Sequence, residues 1–151
     1  MHTENTILSD LSSGLAIIYA GEQVCPPHHS YGPCARDYYL LHYIVKGRGT
    51  FSLGEKKYTL SSGDVFFIRP GEVVYYEADG EDPWHYIWIG LSGLTAGQIF
   101  DSLSGSRPVL HVGRRRTLTP LLQDFAKTGS CRTAAERFAR LGKLYTILSL
   151  L

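Results

Sequence analysis

The sequence predicts a mainly β domain, a sandwich or barrel of short strands, with helices gathered at its C-terminal end. Three observations carry this. Between residues 15 and 91, short aromatic and aliphatic runs are broken at regular spacing by Gly, Pro and Asp. After Gly93 the apolar spacing changes from two to three and four. The chain has 151 residues, 44% hydrophobic and 19% charged, enough apolar material for one core and too short for two comfortable domains.

The strands are read in order. Residues 37–45 form a long run rich in Tyr, Leu, Ile and Val, broken by Lys46-Gly47-Arg48-Gly49 before 50–53 resumes it. Gly54-Glu55-Lys56 turns the chain into 57–60, Ser61-Ser62-Gly63-Asp64 into 65–68, and Pro70-Gly71-Glu72 into 73–78. Asp79-Gly80-Glu81-Asp82-Pro83 is a hairpin tip before 84–91. Strands so short and so regularly punctuated favour a sandwich or barrel over a parallel α/β sheet.

Helices follow. Ala96, Ile99, Phe100 and Leu103 recur at helical spacing, and 108–112 reads as one more strand. Thr119 as N-cap with Pro120 at the first helical position opens a second helix, closed by Gly129. Arg114-Arg115-Arg116 just before it reads as a solvated turn. Thr133 and Glu136 form a capping box for the last helix, where Phe138, Leu141, Tyr145 and Leu148 make an apolar stripe and Glu136 is placed to pair with Arg140. Beyond Leu144 this helix is apolar nearly all round, so Leu141, Leu144, Tyr145, Leu148 and Leu151 are expected to meet a partner subunit or a further part of a longer polypeptide. Packing on the chain's own barrel is the other outcome for the same leucines.

Several classes are excluded or disfavoured. Lys and Arg total 15 against 14 Asp and Glu, so a net charge of +1 gives no footprint for gripping a phosphate backbone. No run reaches the roughly 18 apolar residues of a membrane span, and the polar N-terminus lacks a signal core, so no membrane is involved and a cytoplasmic location is expected. Three cysteines cannot all pair within the chain, which suits reduced thiols. Cys25, His28, His29 and Cys34 have zinc-like spacing but sit in a Pro-rich loop without a second ligand pair. No phosphate loop or nucleophile elbow is present.

Alternation places side chains on faces. Tyr38, Leu40, His42 and Ile44 share one face of their strand, Trp84, Tyr86 and Trp88 share one face of theirs, and Val74 and Tyr76 align on another. Buried Tyr, Trp and His each carry a polar atom that needs a partner. A hollow lined by them suits a sugar, whose C–H face stacks on indole while its hydroxyls meet phenol, imidazole and the Arg36 guanidinium. Spacing alone equally allows these rings simply to fill a small barrel. A catalytic metal site needs imidazoles at alternate strand positions; His28 and His29 are adjacent, His42 stands alone, and Val73 to Tyr76 follow Pro70-Gly71 without a histidine. No cofactor is expected.

Arg36-Asp37-Tyr38-Tyr39, Gly47-Arg48-Gly49, Gly63-Asp64, Pro70-Gly71-Glu72 and Asp82-Pro83-Trp84-His85-Tyr86-Ile87-Trp88 together resemble the effector-binding domain of AraC-type transcriptional regulators, from about residue 13 to the C-terminus. They look most like the branch serving plant oligosaccharides and α-galactosides. The resemblance implies a cupin-like jelly-roll barrel at 13–93 that binds a sugar, a flexible arm at 1–12 able to fold over the pocket, and a helical segment at 94–151, with one further strand, that makes a homodimer. A helix-turn-helix domain reading DNA is expected beyond 151. By motif position, the ligand contacts carried over are Arg36, Tyr76, Tyr86 and Trp88, with Tyr86 standing where the arabinose-responsive member has a histidine; Tyr38 and His42 join them from the strand face. The expected function is sugar sensing by a non-enzymatic regulatory domain. The alternatives are a metal-dependent cupin enzyme and a stand-alone carbohydrate-binding module.

Overall fold

The computed structural model describes residues 14–113 and 115–151. Among these residues nine strands, β1 (Ala16–Val24), β2 (Ser30–Cys34), β3 (Tyr39–Lys46), β4 (Arg48–Leu53), β5 (Lys56–Ser61), β6 (Asp64–Ile68), β7 (Val74–Ala78), β8 (His85–Ser92) and β9 (Val109–His111), make two antiparallel sheets. The first has the order β1-β8-β3-β6-β9 and the second β2-β7-β4-β5. Facing each other, they form the cupin-like jelly roll, with the chain crossing between sheets at most turns.

The first sheet is apolar on both faces because both are covered. Leu40, Ile44, Phe66, Ile68, Trp84 and Tyr86 point between the sheets, while Leu41, Tyr43, Val65, Phe67, Ile87 and Ile89 point out against the helices. Strand β8 shows why the sequence does this: its aromatics and its aliphatics alternate, so each face receives one kind. Two turns depend on glycine. Gly47 (φ 77°) and Gly63 (φ 89°) take up left-handed backbone where an added Cβ would strike the Pro83 carbonyl and Gly113.

Among the described residues there are three helices, α1 (Leu94–Ser104), α2 (Leu118–Lys127) and α3 (Ala134–Leu148); α1 and α2 pack on the outer face of the first sheet and α3 packs on α2. Phe100 of α1, Leu122 and Phe125 of α2, and Leu144 and Ile147 of α3 are fully buried there. Since β9 pairs with β6, residues after Gly93 share one core with the barrel strands. Helix α2 begins after Thr117, not Thr119, which places Pro120 third in the helix, still inside the first turn where its missing N–H costs nothing. The α3 capping box forms as the spacing predicts: Glu136 N–H donates to Thr133 Oγ1 at 3.1 Å, and the Glu136 carboxylate accepts from Thr133 N–H. That carboxylate also accepts from Arg132 N–H, while Arg140 lies over the Phe125 ring at 5.0 Å, so the expected Glu136–Arg140 pairing gives way to these contacts.

The residues expected at a dimer face divide between core and surface. Leu144 and Leu148 are buried in the chain's own core, and Leu141 and Leu151 pack partly on the same core. Phe138 and Tyr145, seven residues apart on one helix face, are left 69% and 50% exposed. The apolar arc of α3 is wider than the core it packs into, chiefly against α2, so its inner edge is buried and its outer edge faces solvent. Of the arginine run, Arg115 and Arg116 are exposed as expected, and Arg114 lies outside the described residues, as does the arm at 1–12.

Candidate functional site

The site is built from the inward rows of β1, β3, β7 and β8. Pairing of β3 with β8 sets His42 opposite Trp88 and Ile44 opposite Tyr86. Pairing of β1 with β8 sets Gly21 opposite Trp88 and Gln23 opposite Tyr86. The six residues expected to contact ligand, Arg36, Tyr38, His42, Tyr76, Tyr86 and Trp88, lie in one connected cluster of side chains between the sheets.

His42 is its centre. The imidazole is 2% exposed and stacks on Phe66 with centroids 4.4 Å apart and planes at 6°. Tyr76 and Tyr86 meet it edge-on at 5.0 and 4.9 Å, and Trp88 tilts toward it at 6.3 Å. Burial, reinforced by the positive charge of Arg36, holds its pKa well below the ordinary imidazole value, so His42 is neutral at physiological pH.

Arg36 Nη2 donates to Tyr76 Oη at 3.1 Å, and its guanidinium carbon lies 4.1 Å over the Tyr31 ring. Burial opposes the charge on Arg36, but the surrounding phenol oxygens, Tyr76 first, outweigh it and keep the group firmly protonated. The Tyr76 phenol is pushed up to about 12 by burial, against the pull of Arg36. Tyr38 Oη donates to Tyr19 Oη at 3.1 Å. Burial, and then that bond, raise the Tyr19 pKa, and burial does the same for Tyr86, whose hydroxyl bonds the Cys25 thiol. Tyr19, Tyr76 and Tyr86 are therefore neutral phenols, each able to donate and to accept.

Five polar atoms in this region are buried and have no hydrogen-bond partner: Arg36 Nε and Nη1, His42 Nδ1, Trp84 Nε1 and Trp88 Nε1. Such atoms are costly to leave unpaired, about 1–3 kcal/mol each, and native interiors rarely keep a cluster of them. Phe51, Phe66 and Trp84 in this cluster are fully buried. Arg36, Tyr38 and Trp88 are only half-buried.

Tyr19 and Tyr31 belong to this wall and were not among the expected residues. A signal for Tyr19 did exist in the glycines. Gly90 lies under the Tyr19 ring, Gly21 under Trp88 and Gly49 under Trp84, and a Cβ at any of the three would overlap the ring above it. Among the described residues no group of three or more His, Cys, Asp and Glu side chains comes close enough to hold a metal, and the zinc-like set is dispersed: His28 bonds Glu77 at 3.0 Å and Cys25 is buried beside Tyr86. All three cysteines are free. No helix among the described residues is long and apolar enough to cross a membrane.

Comparison with known proteins agrees with this architecture. Residues 18–143 match the family model described as the AraC-like ligand binding domain. The Msm operon regulatory protein of Streptococcus mutans is 33% identical over 141 residues, covering 91% of this chain and 50% of that protein. The raffinose operon transcriptional regulatory protein RafR of Pediococcus pentosaceus is 38% identical over 109 residues, covering 70% of this chain and 38% of that protein. The chain thus spans half or less of the curated relatives it matches. Among solved structures, ToxT from Vibrio cholerae superposes with a TM-score of 0.52 at 8% identity, covering 91% of this chain and 55% of that one, a likeness of fold alone.

Proposed function

The chain belongs to the AraC-like ligand-binding domain family, and from that premise we propose that it is the sugar-sensing, dimerising part of a transcription regulator of carbohydrate-utilisation genes. The observation that carries the reading is the cluster of unpartnered donors and acceptors on Arg36, His42, Trp84 and Trp88 among the aromatic rings between the sheets. A saccharide answers both demands at once. Its ring C–H face stacks on the Trp88 indole, and its hydroxyls bond the free Arg36 nitrogens, neutral His42, Tyr38, Tyr76 and Tyr86. The protein performs no reaction in this reading; the regulators named above point the same way.

The output is a change in population. Binding favours one arrangement of barrel, arm and helices over another, by no more than the ligand's difference in affinity for the two. The exposed Phe138–Tyr145 edge of α3 is the homodimer face. DNA is contacted through the remainder of a longer regulator, in keeping with the near-neutral charge of these residues. The location is cytoplasmic.

Titrating intrinsic Trp fluorescence with a panel of mono- and oligosaccharides tests this directly. A saturable change with at least one sugar is expected, and silence across the panel from a folded protein would end the sugar reading. Stoichiometric iron, manganese or zinc in purified protein would favour the cupin enzyme instead.

A further inference from the structure

The segment 128–132, which follows α2, and one flank of α3 border a cavity of about 500 Å³. Glu136, Arg140 and Lys143 line it from α3, at the spacing of four and three that forms one helix face. Ser130, Cys131 and Arg132 line it from the segment. Three cationic side chains therefore stand against one carboxylate. That carboxylate is committed, because Glu136 accepts from the N–H groups of Arg132 and Thr133 as part of the helix cap. One cation is committed too, since Lys143 Nζ donates to Asp124 at 2.9 Å. The two guanidiniums are not. Neither Arg132 nor Arg140 takes part in an ion pair among the described residues. Arg140 lies over the fully buried Phe125 ring, 5.0 Å from its centroid, and its Nε is buried without a hydrogen-bond partner. A permanent charge with a fork of donors and a buried N–H unanswered calls for an anionic acceptor.

We propose that this cavity is a binding site for a phosphate monoester, with the Arg132 and Arg140 guanidiniums donating to its oxygens. The site lies apart from the aromatic cluster between the sheets and does not rest on the sugar reading. Phosphate fits better than a carboxylate for a geometric reason. The two guanidiniums come from two walls, and a phosphate turns three oxygens in different directions, where a carboxylate offers two in one plane. The volume is within the range of small-molecule sites, so the group that carries the phosphate has room as well. Since Arg132 belongs to the segment and Arg140 to the helix, a bound phosphate ties the α2–α3 connection to α3.

Alkylation of the 151-residue chain by iodoacetamide, followed cysteine by cysteine in a mass spectrometer, tests the site, because Cys131 lines it while Cys25 is buried and Cys34 ends β2. Inorganic phosphate, glucose 6-phosphate and AMP are compared with glucose and potassium chloride at constant ionic strength, and affinities are taken from calorimetry. At least one of the three phosphates is expected to slow Cys131 about tenfold at about ten times its Kd and to leave Cys34 unchanged. Arg132→Gln and Arg140→Gln should each weaken that phosphate about tenfold or more, and Arg132→Gln decides if loss of Arg140 from Phe125 disturbs the fold. Arg107→Gln, which removes the same charge from an exposed loop, should change the affinity little. A preference between glucose 6-phosphate and AMP identifies the group that carries the phosphate, and either supports the site. Equal protection of Cys131 by glucose or chloride, an equal loss in Arg107→Gln, or no protection by any of the phosphates overturns it, and each leaves sugar sensing standing.

Discussion

Gly21 on β1 lies directly beneath the indole of Trp88 on β8, its strand partner, and a single added carbon at Gly21 would overlap the six-membered ring. The indole can lie flat against the strand only because that position lacks a side chain. Gly21→Ala should therefore tilt or lift Trp88 into the hollow. The expected outcome is a shifted Trp emission spectrum, a stability loss of about 1–3 kcal/mol from overpacking, and weakened sugar binding. An unchanged spectrum and affinity would show that the indole position is not set by this contact.

Trp88→Ala removes the stacking surface itself. Because Trp88 is only half-buried, the fold should survive, while affinity for a bound saccharide falls by about 1–3 kcal/mol. Calorimetry on the variant, with circular dichroism as the folding control, checks this.

His42 makes a pH prediction whose sign is fixed. Burial holds its folded-state pKa well below the unfolded value. At low pH the unfolded chain takes up a proton that the folded chain refuses, so stability falls as pH drops through the unfolded value, about 6.5, toward the lower folded one. The maximum slope is about 1.4 kcal/mol per pH unit for this one group. Urea unfolding at pH 7 and pH 5 should show a smaller acid loss in His42→Phe, which keeps an aromatic ring against Phe66, than in wild type. Equal losses in the two would mean that His42 takes a proton inside the hollow.

Helix α3 should respond differently on its two edges. Leu144→Ala is expected to cost about 2–5 kcal/mol of stability, since Leu144 is fully buried in the chain's own core. Phe138→Glu combined with Tyr145→Lys should leave thermal stability of the monomer nearly unchanged and abolish self-association in sedimentation velocity. A wild-type monomer at all concentrations would remove the dimer face from the proposed function.

The capping box offers a local check. Thr133→Ala removes the side-chain acceptor for Glu136 N–H and should lower stability by about 1 kcal/mol, seen as a modest fall in Tm.

Much of the fold was legible along the chain. Strands β3 to β8 were readable because Gly47, Gly54, Gly63 and Pro70-Gly71 punctuate them, and the alternation in β8 separates Trp84, Tyr86 and Trp88 from His85, Ile87 and Ile89 without reference to anything distant. Strands β1 and β2 were not individually resolved. In β1 the register slips between Ile17 and Tyr19, so simple counting along it fails. In β2 the run Ser30-Tyr31-Gly32-Pro33-Cys34 reads as a loop and is a strand only because β7 pairs with it. Those are the two strands that bring Tyr19 and Tyr31 to the site.

The sequence by itself determined which face each side chain takes on the central strands, and where the last helix starts, because a strand's twofold alternation and a helix cap are properties of a few neighbouring residues. Only the tertiary structure decided which rings meet between the sheets, that Arg36 lies over the Tyr31 ring, and which part of the α3 apolar arc is core. Those relationships depend on pairings between residues far apart in the chain, such as Gly21 with Trp88 and Tyr31 with Tyr76, and a local pattern fixes a side chain's direction without naming what waits there.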